Sequence, residues 1–250
     1  MRHNAKILLL DIETAPNVAF TWGLFKQNIS LGQLVKPGRT ICWAAKWLGQ
    51  KKVHFKSEYH QDHETMVREM WELLDEADLV IHYNGKKFDI PTLNKEFILL
   101  GLAPPSPYRQ IDLINTCRSQ FRFASNKLDF ICQQLGLGGK TQHKGMSLWV
   151  GCMESSRKSW KTMKEYNIQD VHLLERLYIR LLPWIKTHPN LAMFMDTDRP
   201  VCKGCGSTHV QSRGVEVTNR ATYRRFKCMG CGANLKSRES VKGARKPVLV

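Results

Sequence analysis

The sequence has no run of 18 apolar residues, so nothing in it is expected to cross a bilayer as a helix. It opens basic, Met1-Arg2-His3-Asn4-Ala5-Lys6, but only four apolar residues follow before Asp11. That run is too short for the apolar region of a signal peptide. A membrane-spanning or secreted protein is therefore not expected, and the expected location is the cytoplasm. Acids are scarce, 22 against 38 Lys and Arg, for a net charge of +16. The last fifty residues carry +9 of this and residues 1–200 carry +7. A basic excess in both parts is the footprint of a polyanion binder, most often nucleic acid; a merely solubilising surface is the alternative. Single cysteines are few. Cys42, Cys117, Cys132 and Cys152 stand apart and read as reduced core residues without a role.

The stretch Lys6-Ile-Leu-Leu-Leu-Asp-Ile-Glu-Thr14 organises the rest. Its apolar run has strand length. On a strand Asp11 and Glu13 face one side and Ile12 the other. Two carboxylates on one face suit a hard divalent cation such as Mg²⁺ or Mn²⁺. A strand ending in two solvated acids is the alternative, and the pair alone does not separate them.

Residues 40–48 and 51–57 flank Gly49-Gln50 and read as a hairpin, giving three consecutive, antiparallel strands with the first. Apolar residues at helical spacing predict a helix over 63–76. Residues 78–83 predict a strand, followed by a helix with Pro91 in its first turn that stops at Gly101. A strand is expected over 109–114 and a helix over 127–135, capped by Ser125 or Asn126. Residues 136–145 read as a Gly-rich basic loop. A long helix is expected over 159–184. Strands first, then strands alternating with helices, imply an α/β domain with a mixed sheet over 1–190. Residues 191–200 read as a linker, 201–238 as a second small domain and 239–250 as a flexible basic tail.

Two further acids stand out. Asp89 follows a strand in HYNGKKFDIPTL, and Asp170 lies four residues after Tyr166 in YNIQD, which puts phenol and carboxylate on one helical face. LLLDIET, HYNGKKFDIPTL and YNIQD together resemble the three motifs of the DEDD exonuclease superfamily, whose fold is RNase H-like. Tyr166 marks the Tyr branch; the His branch would need histidine at position 165, where this chain has Glu165. The resemblance covers residues 6–182 and implies catalysis by Asp11, Glu13, Asp89, Tyr166 and Asp170 with two Mg²⁺ or Mn²⁺ ions. It gives Asp11 as the bridging ligand, Glu13 and Asp170 as completing one site, and Asp89 as serving the other, in part through water. Tyr166 would orient the attacking water. Thr14 would meet the terminal 3′-OH, and Asn84 and Phe88 the last nucleotides, with a core role for Phe88 equally open. Lys86 and Lys87 read as phosphate contacts or a solvated turn, and Asp112 as structural. Residues 125–129 followed by LGLGGK resemble the region after the second motif in polymerase-type proofreading domains. Lys140 and Lys144 in the loop that follows are expected to touch substrate; His143 is not expected to bind metal.

Near the end, Cys202-x2-Cys205 and Cys228-x2-Cys231 each continue into glycine, Gly206 and Gly232. Glycine permits the positive φ of a tight knuckle, and four thiolates at this spacing indicate one structural Zn²⁺. Strands are expected over 209–217 and 221–227. The segment resembles a zinc ribbon. Arg224 and Arg225, with Tyr223 and Phe226 interleaved, suit nucleic acid; docking to a protein such as a polymerase is the alternative.

The reading is a two-metal 3′→5′ exonuclease with an RNase H-like α/β domain and a zinc ribbon that assists substrate binding. DNA, single-stranded, is the favoured substrate and RNA stays open. No polymerase domain is present, so proofreading would need a polymerase or another replication or repair protein in trans. A structure-selective endonuclease and a non-catalytic nucleic-acid scaffold on the same fold are the rivals.

Overall fold

The computed structural model describes residues 5–139 and 145–241. Lys140, His143 and Lys144, expected in the basic loop, lie outside the described residues. The chain divides into two compact units, residues 6–177 and the part from Tyr178 onward with Ala5.

The first unit is built in order from β1 (Ile7–Thr14), β2 (Val18–Ala19), β3 (Leu34–Lys36), β4 (Thr40–Trp47), β5 (His54–Ser57), α1 (His63–Glu76), β6 (Leu79–His82), α2 (Asp89–Leu99), β7 (Arg109–Asp112), α3 (Leu113–Gln120), α4 (Leu128–Gln134), α5 (Met146–Met153) and all but the last four residues of α6 (Arg157–Leu181). Its mixed sheet has the order β5-β4-β1-β6-β7. The β1/β4 and β4/β5 pairs are antiparallel, as the sequence predicts, and β1/β6 and β6/β7 are parallel. β1 is central because its Leu8, Leu10 and Ile12 enter one core with Met66, Val67 and Met70 of α1 and Ile90, Leu93 and Phe97 of α2. On the other face Cys42, Leu148, Cys152, Trp160, Met163 and Tyr166 form a second core, which brings α5 and α6 over the sheet. This is the α/β, RNase H-like mixed sheet flanked by helices.

Local chemistry accounts for several boundaries. Asp62 caps α1 by accepting from the Thr65 N–H, and α2 ends ahead of Gly101, whose φ is +68°. The expected strand over 109–114 is shorter than its apolar pattern suggests. Asp112 accepts from the Ile114 N–H and so starts α3 at Leu113, a helix the sequence did not announce. Neither Ser125 nor Asn126 caps α4; Lys127 occupies the cap, and Ser125 Oγ accepts from its N–H. α5 was also missed: at eight residues it is short, and it starts from Gly145 at φ +60°.

In the second unit Pro183 sits in a 3₁₀ turn, Leu182–Trp184, that ends the long helix early. The expected linker includes a 3₁₀ turn, Leu191–Phe194, capped by Asn190, with Leu191 buried and its N–H donated to Lys203 O at 2.8 Å. Three antiparallel strands follow, β8 (Val210–Val217), β9 (Thr222–Cys228) and β10 (Asn234–Ser240), in the order β10-β9-β8. β10 is an addition to the two expected strands, and it takes in residues 239 and 240 of the expected tail. No helix among the described residues is long and apolar enough to cross a membrane.

Candidate functional site

Strand alternation decides where the first acids point. Ile12 goes into the α1/α2 core, so Asp11 and Glu13 face the side covered by α5 and α6. There α6 supplies Asp170, which is buried. Carboxylate oxygens of Asp11, Glu13 and Asp170 lie within 4.8 Å of one another. Three like charges this close, one of them out of water, repel strongly unless a cation or protons compensate them. All the donors are hard oxygens, a set that fits Mg²⁺ or Mn²⁺ and does not favour soft metals.

Asp89 stands apart from these three. Its Oδ1 accepts from the Ile12 N–H at 3.2 Å. The register explains this. β6 pairs with β1 only from Ile7 to Leu9, so the Ile12 N–H lies beyond the parallel ladder, and Asp89 takes the place of a strand partner. Burial raises its carboxyl pKa to about 6, with His82 and the Ile12 N–H pulling against the shift. Asp89 is therefore tied to the backbone between Asp11 and Glu13.

The loop carrying Asn84 is held from below. Asp112 accepts from the Asn84 N–H at 2.7 Å and from the Lys86 N–H at 3.3 Å. Gly85 donates to His82 Nδ1 at 3.1 Å, while His82 Nε2 faces Gln110 Oε1 at 3.2 Å. Asn84 adopts φ +66°, a left-handed conformation that asparagine tolerates better than most residues. Asp112 is thus structural, as expected, and its task is to shape this loop. Phe88 is 46% exposed, which excludes the core role and leaves its ring open to a ligand. Thr14 sits half-buried at the end of β1, just past a register shift. Lys86 and Lys87 are exposed.

Tyr166, one turn ahead of Asp170, packs edge-on to Trp149 at 6.2 Å between ring centroids. Asn167 was missed by sequence reasoning. Its Nδ2 donates to Asp11 Oδ2 at 2.7 Å and also reaches Asp11 O at 3.3 Å. The available signal was an amide three residues before Asp170, on the same helical face.

The second unit brings Cys202, Cys205, Cys228 and Cys231 together, with their sulfurs within 4.8 Å of one another. The Cys202–Cys231 and Cys205–Cys228 sulfur separations are 3.7 and 3.5 Å, and all four thiols are free. A tetrahedral Zn²⁺ with Zn–S of about 2.3 Å places its sulfurs roughly 3.8 Å apart. The site therefore fits that ion. Both expected knuckles are present: Gly206 (φ +68°) donates to Cys202 O at 2.8 Å, and Gly232 (φ +84°) to Cys228 O at 2.9 Å. Arg224 and Arg225 are exposed neighbours on β9, so they face opposite sides of its sheet. Arg225 reaches Arg213 O at 3.3 Å.

Among solved structures the chain is similar to the family B DNA polymerase from the hyperthermophilic archaeon Pyrobaculum calidifontis. The identity is 16% and the TM-score 0.54, over 72% of this chain and 25% of the polymerase. The likeness is one of fold, and this chain spans about a quarter of the polymerase's length. No curated protein sequence matches the chain. A family profile described as the RNase_H superfamily matches residues 8–182. The chain belongs to that superfamily.

Proposed function

We propose that this RNase_H superfamily chain is a 3′→5′ exonuclease that hydrolyses phosphodiester bonds at the 3′ end of single-stranded DNA. The observation that carries the reading is the convergence of Asp11, Glu13 and Asp170 within 4.8 Å, with Tyr166 one turn away on α6. The 3′→5′ polarity rests on the resemblance of the three motifs to the Tyr-branch DEDD exonucleases.

In this reading Asp11, Glu13 and Asp170 hold Mg²⁺ or Mn²⁺, and Asp89 completes the set for a second ion. Bound ions supply the acidified water and the charge stabilisation at the leaving 3′ oxygen that the reaction needs. Asn167 fixes the Asp11 carboxylate. Tyr166 orients the attacking water. Thr14 meets the terminal 3′-OH, while Asn84 and Phe88 hold the last nucleotides. Cys202, Cys205, Cys228 and Cys231 hold a structural Zn²⁺, and the ribbon, through Arg224 and Arg225, contributes nucleic-acid binding. A proofreading role would pair the chain with a replication or repair polymerase.

The test is a time course with Mg²⁺ on 5′-labelled single-stranded DNA and RNA of one sequence, with Asp170→Ala as control. A ladder shortening from the 3′ end, absent in the variant, is expected. Cleavage of closed circular DNA would replace the reading by an endonuclease; intact substrate with retained binding would favour a scaffold.

A further inference from the structure

Between Glu13 and Glu58 the sequence runs for 44 residues without an acid, and seven of these residues are Lys or Arg. Within this stretch residues 17–38 leave the sheet as an arm. Its base is the β2/β3 pair, in which Val18 faces Lys36 and Ala19 faces Leu34. Phe20 N–H donates to Gln33 O at 3.0 Å, and the Gln33 side chain returns a bond to Phe20 O at 3.0 Å. Beyond that base, large apolar side chains stand in the open: Phe20 is 77% exposed, Trp22 99%, Leu24 91% and Phe25 84%. Scattered apolar residues on a surface are ordinary, but a contiguous set of this kind marks a contact surface.

The arm starts beside the acidic cluster. Ala15 is buried in one core with Leu148, Cys152 and Tyr166. Pro16, the next residue, lines a cavity of about 450 Å³ together with Val18, Phe20, Lys36, Arg39 and Met153. Met153, the residue after Cys152 of that core, lines the same cavity. The cavity therefore begins one residue beyond the cluster's surroundings on both β1 and α5. Arg39 is held at its rim by Glu58, at 2.6 and 2.8 Å. Lys26 and Lys36 are exposed.

We propose that residues 17–38 form a base-stacking platform for the substrate strand, in which Phe20, Trp22 and Phe25 stack on bases upstream of the scissile end and Lys26 and Lys36 meet their phosphates. The inference rests on the nuclease reading and extends it to the rest of the strand. Charge and position select nucleic acid over a protein partner: residues 17–38 carry Lys26 and Lys36 and no acid, and the arm follows β1 directly after the acids that would hold the reacting end. Stacking on aromatic rings tolerates every base, which suits an enzyme that must accept each nucleotide in turn.

The experiment uses the full chain carrying Trp22→Ala with Phe25→Ala, and separately Trp22→Phe, each in the unsubstituted and Asp170→Ala backgrounds. In the inactive background, fluorescence anisotropy of a 5′-fluorescein 12-nucleotide oligothymidylate reads binding. The double variant is expected to bind at least about tenfold more weakly, and Trp22→Phe within about twofold of its parent. In the active background the ratio of kcat/KM on the 12-mer to that on the dinucleotide pdTpdT is expected to fall at least about tenfold, because the proposal assigns the arm to bases upstream of the terminal nucleotides. Unchanged 12-mer affinity in the double variant, at unchanged Tm, overturns the platform. Loss of self-association in sedimentation velocity with unchanged affinity also overturns it, in favour of a protein contact. If the unsubstituted chain hydrolyses nothing with Mg²⁺ or Mn²⁺, the nuclease reading fails by itself, and the anisotropy still decides the platform.

Discussion

Asn167 donates its side-chain amide to Asp11 Oδ2 at 2.7 Å although 156 residues separate the two in sequence. The bond joins α6 to β1 at the point where the acids converge, and it fixes the carboxylate that the motif resemblance makes the bridging ligand. Outer partners of metal ligands typically contribute 10–100-fold to affinity or activity. Asn167→Ala is expected to raise the Mg²⁺ concentration needed for half-maximal hydrolysis by about tenfold or more. A Mg²⁺ titration of the initial rate checks this, and an unshifted midpoint would remove Asn167 from the site.

The clustered acids carry opposite consequences with and without metal. Without a divalent ion, Asp170→Asn removes one buried negative charge from a repelling group. It is expected to raise Tm by about 2–4 °C in EDTA, which corresponds to roughly 1 kcal/mol in a domain of this size. The same variant is expected to lose the Mn²⁺-induced rise in Tm and all detectable cleavage. Thermal melts in EDTA and in Mn²⁺ read both effects. A variant that melts earlier in EDTA would show that the acids are not under mutual strain.

Gly85 packs against His82, and a Cβ there would lie 2.5 Å from the His82 Cγ. His82 is fully buried and cannot swing away. Gly85→Ala is therefore expected to destabilise the first unit by about 1–3 kcal/mol and to displace Asn84. Urea denaturation gives the first quantity. The second shows as a higher KM, and a variant with both stability and KM unchanged would rule out the close approach.

His63 lies between Glu58, at 2.9 Å, and Glu96, at 3.2 Å. Its bonds to Glu58 and then Glu96 raise its pKa from 6.5 to about 9. A raised histidine pKa stabilises the fold fully below about 6.5, and the contribution fades as pH rises through about 9. Burial pulls Glu96 upward, but His63, the Thr40 N–H and Lys95 more than offset it and hold its pKa near about 2. His63→Ala is expected to cost about 2 kcal/mol at pH 6 and much less at pH 10. Urea midpoints at the two pH values check the sign, and an equal loss at both would show a packing effect instead.

If the four-thiol cluster holds Zn²⁺ as proposed, the fold of the second unit is expected to depend on it. β8, β9 and β10 have mostly exposed side chains and supply little core, so metal binding and folding are expected to be coupled. Cys228→Ser is expected to lower zinc to well below one equivalent by elemental analysis and to make β8–β10 amides exchange with solvent. Full zinc content in the variant would exclude the four-cysteine site.

Several features were legible in the sequence because they depend on near neighbours. Period-two alternation placed Asp11 and Glu13 on one face and Ile12 on the other. Helical spacing joined Tyr166 to Asp170, and the two Cys-x2-Cys-Gly knuckles appear as read, with both glycines at positive φ. α1 has the expected span because its apolar stripe and the Asp62 cap agree. α3, α5 and β10 were not legible. Asp112 is both the end of a strand and a helix cap, α5 is too short for a clear period, and β10 (NLKSRES) lacks the β-branched and aromatic pattern of a strand, owing its form to β9.

The sequence by itself therefore determined the identities and local directions of the acids and thiols, since strand alternation, helical pitch and glycine's freedom act over a few residues. Only the tertiary structure decided which of them meet. It closed Asp11, Glu13 and Asp170 into one cluster, drew Asp89 onto the Ile12 N–H where the β1/β6 ladder ends, and brought Asn167 to Asp11. Those outcomes depend on strand order and on packing across the two faces of β1, where residues far apart in the chain compete for the same backbone groups and buried space.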